Sequence, residues 1–253
     1  MINFFRRKRK LLADDNKVLK YLRYAFGEII LVVLGILIAL QINTWNQQRL
    51  ERALEQSYLK RLQNELTRDT TYLRSTYART EYEINRVNIG LQMAYEAKNI
   101  KHDITELLSH HSFFAEALTI NKATYDDLVS TQNLNIIRND RLRLIIVDYY
   151  RNAEQAARAI DNFNQLTWNL QVEFMSAVPV GKYYSWNTYL FSDEQLNYQE
   201  DFKFITKPTS HAFELMEMCQ ILFQNKHGNL IHFYKELRIQ ATEIIHLINE
   251  ELD

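Results

Sequence analysis

Glycine and proline are scarce in this chain, with 5 and 2 residues out of 253. Together they make up about a quarter of their usual share. Sheet-rich folds turn every 8–12 residues or so and draw on both residues to do it. The shortage argues against a sandwich, a barrel or a Rossmann-type enzyme. The five glycines stand apart at 27, 35, 90, 181 and 228, so no glycine-rich phosphate loop exists. Cysteine occurs once, at Cys219, which excludes an intramolecular disulfide and a cysteine-rich zinc module. Low-complexity tracts and repeats of fixed period are absent. What is present is 47% hydrophobic and 24% charged residues, too apolar a mixture for a disordered chain. These counts predict an all-α protein.

The net charge of −1 hides an asymmetry. Residues 1–24 carry eight cations, among them Arg6, Arg7, Lys8, Arg9 and Lys10, against Asp14 and Asp15 alone. That segment is therefore +6 and the remainder −7. Behind it, twenty residues from Ile29 to Gln48 lack any charge and include the run IILVVLGILIAL. With Tyr24–Gly27 in front, the stretch is long enough to cross ~30 Å of hydrocarbon as a helix. A cleaved signal peptide and a buried core helix are the competing readings. Against cleavage stand the long basic segment, the lack of a small-x-small site and the polar exit QINTWNQQ, whose Trp45 suits a membrane interface.

The sequence thus divides into a basic membrane-surface segment (1–24), a transmembrane helix (25–46) and a helical bundle (47–253). The excess of cations before the span predicts a cytoplasmic N-terminus and an extracytoplasmic bundle. The basic, amphipathic first segment suits an anionic leaflet. A nucleic acid would need a folded reader that 24 residues beside a membrane do not supply. Within the span, Glu28, Gly35, Ala39, Asn43 and Asn46 share one face, within about 80° of arc at ~100° per residue. Gly35 and Ala39 have the small-xxx-small spacing that lets helices approach closely. An ionisable group in a span usually faces protein or water. This face predicts association with a second copy or a partner membrane protein. The rival reading leaves Glu28 at the headgroup boundary, setting depth only.

The start MINFFRRKRKLLADDNKVLKYLRYAFGEIILVVLGILIALQINTWNQQR resembles the N-terminal signature of a large family of single-pass membrane proteins of unknown function from Bacteroidetes. The family pattern is similar to FFR followed by KYLxYAxGEIxLVVxGILIALQINxWN. The chain matches it at Phe4–Arg6, Lys20–Leu22, Tyr24–Ala25, Gly27–Ile29, Leu31–Val33, Gly35–Asn43 and Trp45–Asn46. A second stretch, TYDDLVSTQNLNIIRNDRLRLIIVDYY (124–150), resembles a family segment that ends in a doubled tyrosine. There the family often has Gly where this chain has Gln132. The resemblance implies an inner-membrane location and brings no activity and no catalytic residues.

Beyond the span, apolar residues recur from Leu50 through Leu54, Tyr58, Leu62, Leu66, Leu73, Tyr77, Ile84 and Val87 to Leu91 and Tyr95. With polar slots allowed near 69–70 and 80, the average step is about 3.7 residues, which predicts a nearly straight helix rather than a left-handed supercoil. It would continue from the span to about Ala97, with a kink at RDTTYLRST (68–76), rich in weak helix formers. A helix over 104–118 follows, then a short one, KATYDDLVS, capped by Asn121. A turn at Ser130–Asn133 leads to a long helix opened by Asn139 or Asp140 and broken at Pro179 and Gly181. Leu142, Ile145, Ile146 and Tyr149 give it an apolar stripe. Residues 181–205 are aromatic and least helical. Thr209 or Ser210 caps a helix to about Asn225, Gly228 stops it, and a last helix reaches the C-terminus. The expected architecture is an antiparallel helical bundle.

Candidate chemistry is thin. His102, Glu106 and His110 share a helix face with zinc-ligand spacing, but a solvated face accounts for them more simply. Cys219 sits in the apolar FELMEMCQILF, where a buried free thiol is a small hydrophobe, and His211 is two turns away. Asp126–Asp127, Asp193–Glu194 and Glu250–Glu251 are adjacent pairs that do not face one another on a helix. Tyr149–Tyr150 and Tyr183–Tyr184 suit a core better than a ligand site. No metal, cofactor or small-molecule substrate is expected, and no enzyme. The leading function is a membrane-anchored interaction or scaffold protein, or an accessory subunit of a membrane complex. The alternative is an extracytoplasmic sensor that signals through a separate partner. A hydrolase or metal enzyme would need a motif that the sequence lacks. If any ligand or partner surface lies in the bundle, 181–205 is where it is expected.

Overall fold

The computed structural model describes residues 2–96, 117–183, 187, 190–192 and 194–253, and among these residues four α-helices follow the N-terminal one. They are α1 (Ile2–Glu96), α2 (Ala123–Ser130), α3 (Asp140–Ala177), the single turn α4 (Tyr198–Asp201) and α5 (His211–Leu252). Among the described residues there is no strand. The chain divides into two compact units, Met1–Ser57 and Tyr58–Asp253, and α1 supplies residues to both.

The first unit is helix alone. Every side chain from Ala25 to Glu51 is exposed, including the whole run Ile29–Leu40. Leu31, at 73%, is the most open of the large apolar side chains among the described residues. An uncharged stretch of this length satisfies its own backbone as a helix and leaves only its side chains to be covered. This helix is long and apolar enough to cross a membrane.

The second unit begins at Tyr58. Leu50 and Leu54, placed at the head of the stripe by spacing, are exposed. From there on the buried positions of α1 keep a seven-residue repeat rather than the 3.7-residue drift. Leu59, Leu66, Leu73, Thr80 and Val87 are each seven apart, and Leu62, Asp69, Thr76 and Gly90 fill the alternate seam. The helix α5 repeats the pattern without a gap in Met216, Phe223, Leu230, Leu237 and Ile244. So does α3 in Ile146, Ala153, Ile160, Thr167 and Phe174. This is the seam of left-handed packing. The weak helix formers of 68–76 do not interrupt α1. Their hydroxyls bond back to carbonyls three or four residues earlier, as Thr71 does to Thr67 at 3.1 Å and Ser75 to Tyr72 at 2.8 Å.

Paired side chains fix the helix directions. Gln224 donates to Asn88 (2.9 Å) and Phe213 meets Tyr95 edge-on, so α5 runs against α1. Asn139 donates to Glu251 (2.8 Å) and Asn152 to Gln240 (3.2 Å), so α5 also runs against α3. It follows that α1 and α3 run the same way, with α5 antiparallel to both. The stripe on α3 includes Leu142, Ile146 and Tyr149 in full burial and Ile145 at half.

Several boundaries fall where the sequence places them. The Asn139 side chain accepts from Leu142 N (3.0 Å) and opens α3, which ends at Ala177 ahead of Pro179. Ser210 caps α5 through Phe213 N at 3.3 Å. Two expectations fail. Asn121 does not cap α2, whose N-cap residue is Lys122 without a side-chain bond. And α5 does not stop at Gly228 but runs through it. Buried Phe223, Lys226, His227 and Leu230 pack on either side of this exposed glycine, and that packing outweighs a propensity loss of about 1 kcal/mol. Of the helix expected over 104–118, residues 104–116 lie outside the described set, while Ala117 and Leu118 are not helical.

The turn between α2 and α3 holds the one non-glycine residue with positive φ among the described residues, Gln132 at 58°. Its N–H bonds Val129 O at 3.1 Å and closes α2. A left-handed conformation strains any residue with a Cβ. Gln132→Gly is therefore expected to stabilise the full chain by about 0.5 kcal/mol, the relief exceeding the added freedom of the unfolded chain. Urea midpoints of the detergent-solubilised protein measure it, and a lowered midpoint contradicts the strain argument.

Candidate functional site

The polar slots of the α1 stripe are where the second unit carries its unusual chemistry. Asp69 sits in the seam between Leu66 and Leu73 and is fully buried. Glu65 precedes it by one turn and lies on the same side. Across them runs a non-helical strap, residues 117–122, that leads into α2.

Asp69 Oδ1 accepts from Asn121 N (3.0 Å) and from Asn121 Nδ2 (2.5 Å). Its Oδ2 accepts from the Tyr149 hydroxyl of α3 at 3.2 Å. The Glu65 carboxylate accepts from Thr124 Oγ1 (2.7 Å) and from Thr124 N (3.2 Å), an orphan donor in the first turn of α2. So α1, and not Asn121, supplies the capping acceptor, and an anion at this helix end also meets a favourable dipole. Tyr72 clasps the start of the strap, donating to Ala117 O (3.0 Å) and accepting from Thr119 N (3.4 Å). Tyr150 donates to Asn121 O at 3.3 Å and stacks on Tyr125 with ring centres 4.3 Å apart.

Burial, first, holds the Asp69 carboxyl above its ordinary value, and the Glu65 charge adds to this. The hydrogen bonds from Asn121 and Tyr149 work in the opposite direction. Burial also pushes the Tyr149 and Tyr150 phenols far up, reinforced by the nearby carboxylates. Both phenols stay protonated and act as donors. The cluster ties four chain segments together with neutral donors and two carboxylates. Beside it a cleft of about 520 Å³ is lined by Leu118, Ile120, Tyr125, Tyr150 and Arg151, among others.

Of the described residues in 181–205, where a ligand surface is expected, Tyr183, Phe202, Phe204 and Ile205 belong to a second core. Phe202, Phe204 and Tyr183 pack with Phe174 and Phe213, and the Tyr183 hydroxyl donates to Asp201 at 2.6 Å. Tyr184 lies outside the described residues. Cys219 is buried in the same core, and burial pushes its thiol up to about 12, where no reactive thiolate exists at neutral pH. The adjacent carboxylates part company as expected of a helix surface. Asp127 pairs with Arg61 and Asp126 with Lys122, while Glu250 meets His246 and Glu251 meets Asn139. His211 is exposed, near Glu173 and Glu214. His102, Glu106, His110 and Asp193 lie outside the described residues, and among those described no group of three metal-ligating side chains converges.

Glu28, Gly35, Ala39, Asn43 and Asn46 all lie exposed on α1. A Cβ added at Gly35 would meet nothing within 4 Å. Asn46 accepts from Arg49 at 3.4 Å, and Arg49 stands over the Trp45 ring at 5.7 Å. Arg6, Arg7, Lys8, Arg9 and Lys10 belong to the first turns of α1, and their side chains lie outside the described set.

A family model matches residues 28–207, from the apolar helix through the strap to the second core, so the chain belongs to a family of unknown function, DUF6090. The match ends before α5. Neither comparison with curated proteins nor comparison with solved structures gives a match.

Proposed function

We propose that this member of the DUF6090 family is a membrane-anchored interaction protein, a scaffold or accessory subunit of a membrane complex, and not an enzyme. The observation that carries the reading is the uncovered helix from Ala25 to Trp45, twelve of whose residues form an unbroken apolar run behind a basic segment. In this reading the helix spans a bacterial inner membrane once. Residues 1–24 lie on the cytoplasmic leaflet, with Arg6, Arg7, Lys8, Arg9 and Lys10 against anionic lipid, and the helical unit stands in the periplasm. The resemblance of the first fifty residues to a Bacteroidetes membrane family supports the placement. A binding role rather than catalysis is supported by the burial of most groups with displaced pKa: Asp69, Tyr149, Tyr150, Tyr183 and Cys219 are buried, while Tyr77 and Tyr125 are half-buried. Partners are lipid and protein; neither a nucleic acid nor a small-molecule substrate enters the reading. A reporter fused after Asp253 tests it: export-dependent activity is expected, and activity that requires the cytoplasm overturns the topology.

The partner side of the proposal rests on the face of Glu28, Gly35, Ala39, Asn43 and Asn46. Two helices can approach closely at Gly35 and Ala39, and polar Asn43 can bond across the contact. Gly35→Ile is expected to reduce association of the full chain in membranes about tenfold, since each 1.4 kcal/mol of lost packing is a factor of ten. Crosslinking yield across a dilution series in lipid measures it. Unchanged yield removes this face as the contact, whether with a second copy or with another protein.

A further inference from the structure

The strap 117–122 is fastened to the second unit by an unusual set of bonds. Its N–H groups at Thr119 and Asn121 are taken by α1 side chains, Tyr72 and Asp69, rather than by backbone. Its carbonyls at Ala117 and Asn121 are taken by Tyr72 and Tyr150. Its apolar anchors, Leu118 and Ile120, are only half-buried. Side-chain hydrogen bonds therefore decide whether the strap lies down, and Asp69 accepts more of them than any other group there.

Among the described residues, the groups that bond to Asp69 or act on its charge come from α1, α3 and the strap, while α5 brings apolar Ala241 and Ile244 to the same core. On α1 the neighbour is Glu65, a second carboxylate. From α3 come the hydroxyls of Tyr149 and, through Asn121, Tyr150. From the strap comes the Asn121 amide. At the edge toward α2, Lys122 is paired with Asp126 and Arg61 with Asp127. Each bond that Asp69 receives from the described residues thus comes from a neutral donor, and the charge that acts on it, that of Glu65, has its own sign. A buried carboxylate in that setting is stable as the ion only to the extent that its three hydrogen bonds replace water. As the acid it keeps Oδ1 for Asn121 and loses the charge.

We propose that Asp69 and Asn121 form an acid-tightened latch, which holds the strap 117–122 on α1 in acidic surroundings and loosens as they turn alkaline. With the strap lifted, Asp69 meets water, the burial that disfavours its charge is relieved, and its pKa falls toward the ordinary value. With the strap down, its pKa is raised. Closing therefore takes up a proton. The extra stability of the closed latch is complete below the ordinary carboxyl value and is lost as pH rises through the raised one.

Hydrogen exchange of the full chain in lipid nanodiscs reads this directly, because the Thr119 and Asn121 amides bond to the latch itself. After correction for intrinsic exchange, their protection is expected to be greater at about pH 5 than at about pH 8, by up to tenfold for each unit by which the carboxyl is raised. In Asp69→Asn the dependence is expected to vanish and the protection to stay at the acidic level, since the amide oxygen still serves Asn121. That variant keeps Glu65, so a dependence carried by Glu65 survives in it. Equal protection at both pH values in the unaltered chain, or an undiminished rise in Asp69→Asn, overturns the latch. A carbon-13 titration of the Asp69 carboxyl stands independently of any variant, and a midpoint at the ordinary exposed value overturns it as well.

Discussion

Asp69→Ala is expected to destabilise the full chain by about 2–4 kcal/mol, while Asp69→Asn changes stability by less than about 1 kcal/mol. Alanine removes the acceptor of three hydrogen bonds at once. The Tyr149 hydroxyl is buried and has its other neighbours in the apolar core, so its loss alone is worth about 1–3 kcal/mol. The two Asn121 donors reach water more easily, because Asn121 is exposed, and add less. Asparagine keeps the oxygen that Asn121 uses and presents an amide to the Tyr149 oxygen. It also removes a charge that burial and Glu65 both disfavour. Guanidinium midpoints of the detergent-solubilised chain distinguish the two. Equal losses in both variants would mean that the charge itself, and not the hydrogen-bond pattern, is what the fold needs.

Asp69 also shows where a sequence stops being legible. The spacing of Leu66 and Leu73 marks position 69 as belonging to the buried stripe, yet the residue there is acidic and reads as a gap. The signal was a carboxylate in phase with leucines, followed at Thr76 and Thr80 by two more polar residues in phase. What donates to such a residue comes from segments 52 and 80 positions away, and no local pattern announces them. The same distance explains Asn121. As a good capping residue ahead of an apolar run it reads as the N-cap of α2, but Glu65 takes the Thr124 N–H that such a cap would serve, and the Asn121 side-chain N–H goes to Asp69. Local chemistry sufficed where the partner is local: Asn139 and Ser210 cap the helices that follow them, and Pro179 ends α3. The apolar helix behind a basic segment was legible for the same reason, since length and composition alone carry it. The seven-residue seam was not, because counting from Leu50 included exposed residues and skipped buried polar ones.

Gly228 gives the sharpest contrast between local propensity and tertiary packing. Read locally, a glycine after Lys226 and His227 is a helix stop. In the structure it is an exposed interior position of α5 with a negative φ, and a Cβ placed there meets nothing within 4 Å. Gly228→Ala is therefore expected to stabilise the chain by about 0.5–1 kcal/mol, by lowering the freedom of the unfolded state without a clash. Gly228→Pro is expected to cost about 3 kcal/mol or more. Proline removes one backbone donor from the helix, and its ring meets the carbonyl of Gln224. The damage is not confined to that turn. Phe223, His227 and Leu230 belong to the α5 seam on either side, so a bend at 228 shifts their register against α3 and α1. A true helix stop would respond the other way, with alanine neutral or harmful in a left-handed cap and proline tolerated just beyond it. Circular dichroism at the helical band through a thermal ramp, on both variants of the full chain in detergent, decides between a continuous α5 and two helices joined at Gly228.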